Sequence, residues 1–262
     1  MTKIYHYTKL AKAIEFILPS MELRTNNLQN MNDPKENQPW AFGGINIDYD
    51  RGYPETYSAD THIDHQYKLG HEIKNSCQII CFVKDKPEHG FLNEIMWAHY
   101  SDNHKGVCLE IDVDIFLNEN SEKLNDYIFE SVSYGHQEIP YLDWNGKLTK
   151  EQNINQFVRN TYKKLFLQKS LYWEKENEQR LLVFSEKPKH LSIDKSLTGI
   201  YFGLQMPYSN KPSIDNLINS NQTTLYNLYY ESNKIKVAST KIGENRPLIT
   251  RKFADENYNI KF

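Results

Sequence analysis

The chain has 262 residues, 39% of them apolar, and a formal net charge of −3. That supports a packed core and excludes wholesale disorder. With no long basic run it also argues against a protein built mainly to neutralise nucleic-acid phosphates.

No apolar run approaches the length of a membrane span, so no membrane partner is expected. The N-terminal MTKIYHYTK lacks an apolar signal region. Cys77, Cys81 and Cys108 are too few, and odd in number, for a disulfide framework. Cys77 and Cys81 sit in the apolar run CQIICFV, where core packing is favoured over a metal role. The expectation is a soluble, reducing, cytoplasmic protein.

In chain order, Lys3–Thr8 alternates as a strand, with Ile4, His6 and Thr8 on one face. Thr8 is placed to cap the helix that follows. Leu10, Ala13, Ile14, Ile17 and Leu18 repeat at helical spacing until Pro19. Met21–Thr25 reads as a short extended piece, and Asn26–Pro39 as turns and loop. Gly43–Tyr57 is polar and turn-rich. A helix is expected over His62–Asn75, a buried strand over Gln78–Val83 and a short helix over Asn93–Tyr100. Strands follow over Val107–Val113 and Tyr127–Tyr134.

Thr149–Ser170 is the longest helical candidate. Thr149 and Gln152 form its capping box, and Ile154, Phe157, Val158, Leu165 and Phe166 its apolar face. Trp173–Phe184 carries W-x-x-E-x-E-x-R into the apolar run Leu181–Phe184. Extended pieces are expected at Leu191–Ile193 and Ile200–Leu204, a helix at Ser213–Ile218, and strands at Leu225–Tyr230 and Lys234–Ala238. The tail from Thr240 is polar.

The elements read as a single domain over 1–262, with a motif-bearing core of about 1–205 and a C-terminal extension of about 206–262. Their irregular interleaving predicts an α+β fold, with mixed, largely antiparallel sheets and flanking helices. The common glycine-rich nucleotide motifs and the G-x-S-x-G elbow are missing.

Glu176 and Glu178 lie two positions apart. In extended backbone they share a face, and repulsion between them raises one pKa. Arg180 continues that face and is able to grip either carboxylate. The competing reading is a solvated strand edge, which the apolar neighbours, Trp173 among them, count against. His6 and Thr8 make a polar pair suited to a ribose hydroxyl, although a lone His in a strand is more often a satisfied core or surface residue than a functional one. Asn32-Asp33-Pro34 reads first as a turn, and second as a place where Asp33 or Glu36 closes over a ligand. Trp97 and Tyr100, one helical turn apart, read either as core or as an aromatic wall for a planar ring.

In order, His6-Tyr7-Thr8, Asn32–Glu36, Met96–Tyr100, His104–Glu110 and Trp173–Arg180 resemble a bacterial family of uncharacterised domains. More distantly, an early H-x-T strand, a central aromatic and a late E-x-E before a strand resemble ADP-ribosyltransferases, including DarT-type toxins and RNA 2′-phosphotransferases. That resemblance implies an ADP-ribosyltransferase-like core and NAD as co-substrate. It gives His6 the ribose, Tyr100 or Trp97 the nicotinamide, Arg24 the pyrophosphate, and Glu178 the catalysis with Glu176 as partner. It further implies a nucleic-acid or protein acceptor in a toxin or anti-phage defence effector. A non-catalytic nucleotide sensor built on His6, Arg24 and the aromatic wall is the second reading. A metal-dependent nuclease or hydrolase using Asp33, Glu176 and Glu178 is the third. Every transferase role requires His6 and Glu178 to line one cleft.

Overall fold

The computed structural model describes residues 2–37, 40, 59–136, 140, 147–218, 223–232 and 234–240. The turn-rich expectation for Gly43–Tyr57 and the polar tail beyond Thr240 lie outside them.

Twelve strands are described. They are β1 (Lys3–Thr8), β2 (Glu22–Arg24), β3 (Gln78–Lys84), β4 (Val107–Asp112), β5 (Tyr127–Ser131) and β6 (Ser133–Tyr134), then β7 (Gln168–Lys169), β8 (Glu178–Val183), β9 (His190–Ser192), β10 (Leu197–Phe202), β11 (Thr224–Glu231) and β12 (Lys234–Thr240). Eight of them form one sheet in the order β12-β11-β10-β4-β1-β3-β8-β5. All neighbours are antiparallel except β10 and β11. The fold is therefore α+β with a mixed, largely antiparallel sheet. β2 pairs with β9 and β6 with β7 in two small sheets. The large sheet continues through β11 and β12, across the boundary near residue 205.

The centre of the sheet is covered on both faces, which is why β3 reads as a largely apolar run. On one face Ile4, Phe82, Leu109, Ile111 and Leu181 pack against Ala13 and Leu18 and against Phe116 of the helix Val113–Glu119. That helix is absent from the sequence expectation. On the other face the helices Ala59–Asn75 and Lys150–Phe166 cover Ile79 and Leu182. The helix Glu94–Tyr100 packs Met96 and Trp97 against Tyr5, Tyr7 and Cys108. Each large apolar side chain so buried contributes about 1.5–3 kcal/mol.

Local signals set the helix ends. Thr149 accepts from the Gln152 amide, and the Gln152 side chain accepts from the Thr149 amide. The expected apolar face is the buried one. Asn93 caps Glu94–Tyr100 through the Met96 amide. The first helical segment differs from expectation. Thr8 does not cap it; Lys9 holds the cap position without a side-chain bond, and Thr8 is buried in β1. The segment passes through a π-type turn at Ala13–Ile17, includes Pro19 in its last turn and ends at a left-handed Met21.

Gly203 sits where the loop before β4 meets the end of β10. A Cβ there would lie 2.1 Å from the His104 carbonyl oxygen, a backbone atom with little room to yield. Gly203→Ala is expected to lose about 1–3 kcal/mol as an overpacked site. Thermal unfolding of the purified variant measures it.

Candidate functional site

Arg180 and Glu178 point from β8 toward the face that carries Trp97. Arg180 is fully buried and Glu178 nearly so. Nη2 and Nε of Arg180 donate to Glu178 Oε2 at 2.8 and 3.2 Å, and Nη1 donates to Glu36 Oε1 at 2.6 Å and to the Phe166 carbonyl at 2.8 Å. The guanidinium fork thus ties β8 to the short helix Pro34–Asn37 and to the end of Lys150–Phe166.

Glu176 reaches the same cluster by another route. It ends a 3-10 turn, Leu171–Glu176, and Asn177 then takes left-handed backbone before the strand begins. The expectation of extended backbone through Glu176 is corrected here: the two carboxylates do not share a strand face. They meet at Lys169, whose Nζ bonds Glu176 and lies 3.4 Å from Glu178 Oε2. Tyr100 donates to Glu176 Oε1 at 2.7 Å, and the Glu178 amide donates to the Tyr134 hydroxyl at 2.8 Å. The Trp173 ring lies 5.1 Å from Lys169 Nζ. Trp173 and Tyr100 are half-buried, and the glutamates beneath them are enclosed.

Three carboxylates, Glu36, Glu176 and Glu178, therefore meet two cations, Lys169 and Arg180. A third buried cation, Lys74, donates to the Glu36 backbone carbonyl and interacts with its charge, and the carboxylates respond differently. Burial and the charge of Glu178 push the Glu176 carboxyl above the ordinary range, against Lys169 and the Tyr100 hydroxyl. Burial also raises Glu36, more than Arg180 lowers it. Burial works against the charge of Glu178 too, but Arg180 and Lys169 outweigh it and hold that carboxyl low. The carboxylates in turn hold Lys169 and Arg180 protonated against the effect of burial.

Glu36, Tyr100, Trp173, Glu176, Glu178 and Arg180, all named from the sequence, come together here. Asp33 is buried nearby in sequence, its carbonyl accepting the Asn37 amide, and Asn32 is exposed. Lys169 and Tyr134 were missed. For Lys169 the sequence offered no signal that set it apart from Lys163, Lys164 and Lys175 nearby.

Four residues assigned to NAD do not join the cluster. Pairing runs from β1 through β3 to β8. Tyr5 and Val83 stand in line with Glu178, while His6, Phe82 and Gln179 point to the opposite face. His6 Nδ1 donates to the Cys81 carbonyl at 3.1 Å, and its ring stands edge-on to Phe82 in the far core. The shared cleft required of His6 and Glu178 is thus not formed by these two side chains. Thr8 lies on the His6 face and is buried. Arg24 is exposed on β2, and no hydrogen bond or ion pair joins it to His6 or to the cluster among the described residues. Trp97 is fully buried, edge-on to Tyr7 and stacked on His104. It is core rather than a wall for a ligand. His6 and Trp97 thus lie on opposite faces of the sheet, and of the aromatic wall of Trp97 and Tyr100 only Tyr100 reaches the cluster. Among the described residues no group of three or more His, Cys, Asp or Glu is placed to hold a metal ion.

With this geometry established, comparison with known families is informative for one part of the chain. Residues 96–181 match the family model described as Protein of unknown function (DUF2971). The match takes in Tyr100, Lys169, Glu176, Glu178 and Arg180, and leaves His6 and Glu36 outside. No curated protein and no solved structure matches the chain. Among the described residues no helix is long and apolar enough to cross a membrane.

Proposed function

We propose that the chain is an enzyme acting at a glycosidic bond beside a ribose, with NAD as substrate, and that Glu176 and Glu178 carry the chemistry. One observation carries the reading. The two carboxylates share Lys169 but keep different company: Tyr100 donates to Glu176, whereas Arg180 donates through two nitrogens to Glu178 and favours its ionised form. Such a split assigns roles to a pair. Glu178, held ionised, stabilises positive charge developing at the ribose C1′ as the C1′–N bond breaks and its electron pair leaves with nicotinamide. Glu176, the more basic of the two, takes the proton of the acceptor oxygen as that oxygen bonds C1′.

NAD, an ADP-ribosyltransferase-like core, and an acceptor that is nucleic acid or protein, as in a toxin or defence effector, come from the resemblance alone. Substrate reaches the pair by displacing the Tyr100 hydroxyl from Glu176. His6 lies on the opposite face of the sheet, so this reading gives up the condition that His6 and Glu178 line one cleft and rests on the carboxylate pair alone.

A second reading is favoured by the full burial of Glu176 and Arg180: the cluster is a keystone that holds β8 against its neighbours. One assay separates the two. The purified chain is expected to release nicotinamide from NAD, alone or with nucleic-acid and protein acceptors present. Glu178→Gln should abolish release with the circular dichroism spectrum unchanged, and His6→Ala should retain it. No turnover under any of these conditions, with Glu178→Gln only lowering the melting temperature, leaves the keystone.

A further inference from the structure

The turn between the helix Glu94–Tyr100 and β4 is built under strain. Asp102, Asn103 and His104 take left-handed backbone in succession, with φ of 52°, 52° and 66°. Asp, Asn and His tolerate that region better than most side chains, but three together store energy that the surroundings must hold. The His104 amide donates to the Trp97 carbonyl at 3.1 Å, and its own carbonyl accepts from Gln205 at 2.9 Å. Gly106 and Gly203 allow the close backbone approach, since a Cβ at either would fall 2.1–2.2 Å from a carbonyl oxygen. The His104 ring is laid on Trp97, with centroids 6.0 Å apart and planes 13° from parallel. Much structure is spent on aiming one imidazole.

That imidazole is a wall of an open pocket of about 420 Å³, completed by Leu204, Gln205, Leu228, Tyr229 and Tyr230. The size falls in the range that holds small ligands. None of these residues belongs to the charge cluster. His104 Nδ1 is enclosed and has no hydrogen-bond partner among the described residues. Burial lowers the proton affinity of the ring, more than Glu94 raises it, so the ring is neutral at pH 7. An enclosed N–H without an acceptor costs more than an unfilled lone pair. The proton therefore sits on Nε2 rather than on the enclosed Nδ1.

We propose that this pocket binds a small, flat, neutral ring bearing a carbonyl group, the lactam class to which uracil and hypoxanthine belong. Nε2–H of His104 donates to the carbonyl oxygen, Gln205 supplies a second polar contact, and the exposed Tyr230 covers a face of the ring over a floor formed at Leu228. The assignment does not depend on the chemistry proposed for Glu176 and Glu178.

Titration calorimetry of the whole chain at pH 7 with uracil and with hypoxanthine tests it, with pyrimidine as the ring lacking a carbonyl. Saturable binding of at least one lactam, and none of pyrimidine, is expected. His104→Asn keeps a residue type that accepts the left-handed backbone and should weaken binding about tenfold through the lost hydrogen bond. Tyr230→Ala alters an exposed side chain and should weaken binding severalfold with the melting temperature unchanged. Weakening by either substitution supports the assignment. Failure of both lactams to bind at millimolar concentration, equal binding of pyrimidine, or affinity untouched by both substitutions overturns it.

Discussion

Arg180→Leu is expected to cost about 3–5 kcal/mol of folding stability, the range for leaving a buried charge without its partner. The guanidinium answers Glu178 through two nitrogens and Glu36 through a third. Leucine fills part of the volume and answers neither carboxylate. Lys169 remains 3.4 Å from Glu178, but it already bonds Glu176. Urea unfolding at pH 7 measures the loss. The double variant Arg180→Leu, Glu178→Leu should recover part of it, because the second change removes the stranded charge. A loss within about 1 kcal/mol of the parent would place the ion pair with solvated surface pairs and end the account of a closed cluster.

The pH dependence gives the same substitution a sign. In the parent, the native state depresses the Glu178 carboxyl. Its stabilisation is present above the ordinary glutamate pKa and is lost as pH falls through the native value. Glu36 and Glu176 are raised, so each favours folding at low pH and withdraws that support as pH climbs through its native value. In Arg180→Leu the first contribution vanishes and Glu178 joins the raised group. The stability gap between variant and parent should therefore narrow steadily on acidification from pH 7 toward pH 4.

Why the cluster was only partly legible follows from what each residue's position depends on. The apolar stripe Ile154, Phe157, Val158, Leu165 and Phe166 depends on helical period alone, and it is the face that is buried. The Thr149 box depends on residues three apart. Arg180 and Glu178 share a face because they alternate within one strand. Glu176 breaks that rule, since Asn177 turns the chain left-handed, and Asn in E-N-E permits such a turn without requiring it. The meeting of Glu36 with Arg180 spans 144 positions and needs the tertiary fold. The placement of His6 needs the register of two successive strand pairings, and shifting either by one residue would have brought it round to Glu178. A single sequence shows the alternation within each strand but not the register between strands. That is where the expectation of a shared cleft failed.

Glu176→Gln and Glu178→Gln should divide stability from activity. The two changes are nearly isosteric, and each removes one charge from a cluster of three carboxylates and two cations. Glu176 holds its proton more readily than an ordinary glutamate, so a neutral amide resembles one of its natural states. The glutamine oxygen can accept from Lys169 while its NH2 donates to the Tyr100 hydroxyl oxygen, which leaves neither neighbour unanswered. Glu176→Gln is therefore expected within about 1 kcal/mol of the parent, the scale of one exchanged hydrogen bond. Glu178 is the anion that Arg180 requires, and an amide offers Nε and Nη2 a weaker acceptor inside a site closed to water. Glu178→Gln should cost about 3 kcal/mol, near the lower end for a broken buried pair. Both should lose nicotinamide release, since one removes the base and the other the stabilising charge. Equal destabilisation by the two substitutions, read from paired urea curves at pH 7, would make Glu176 a second structural anion. The division of labour between the carboxylates, and the chemistry built on it, would then have no basis.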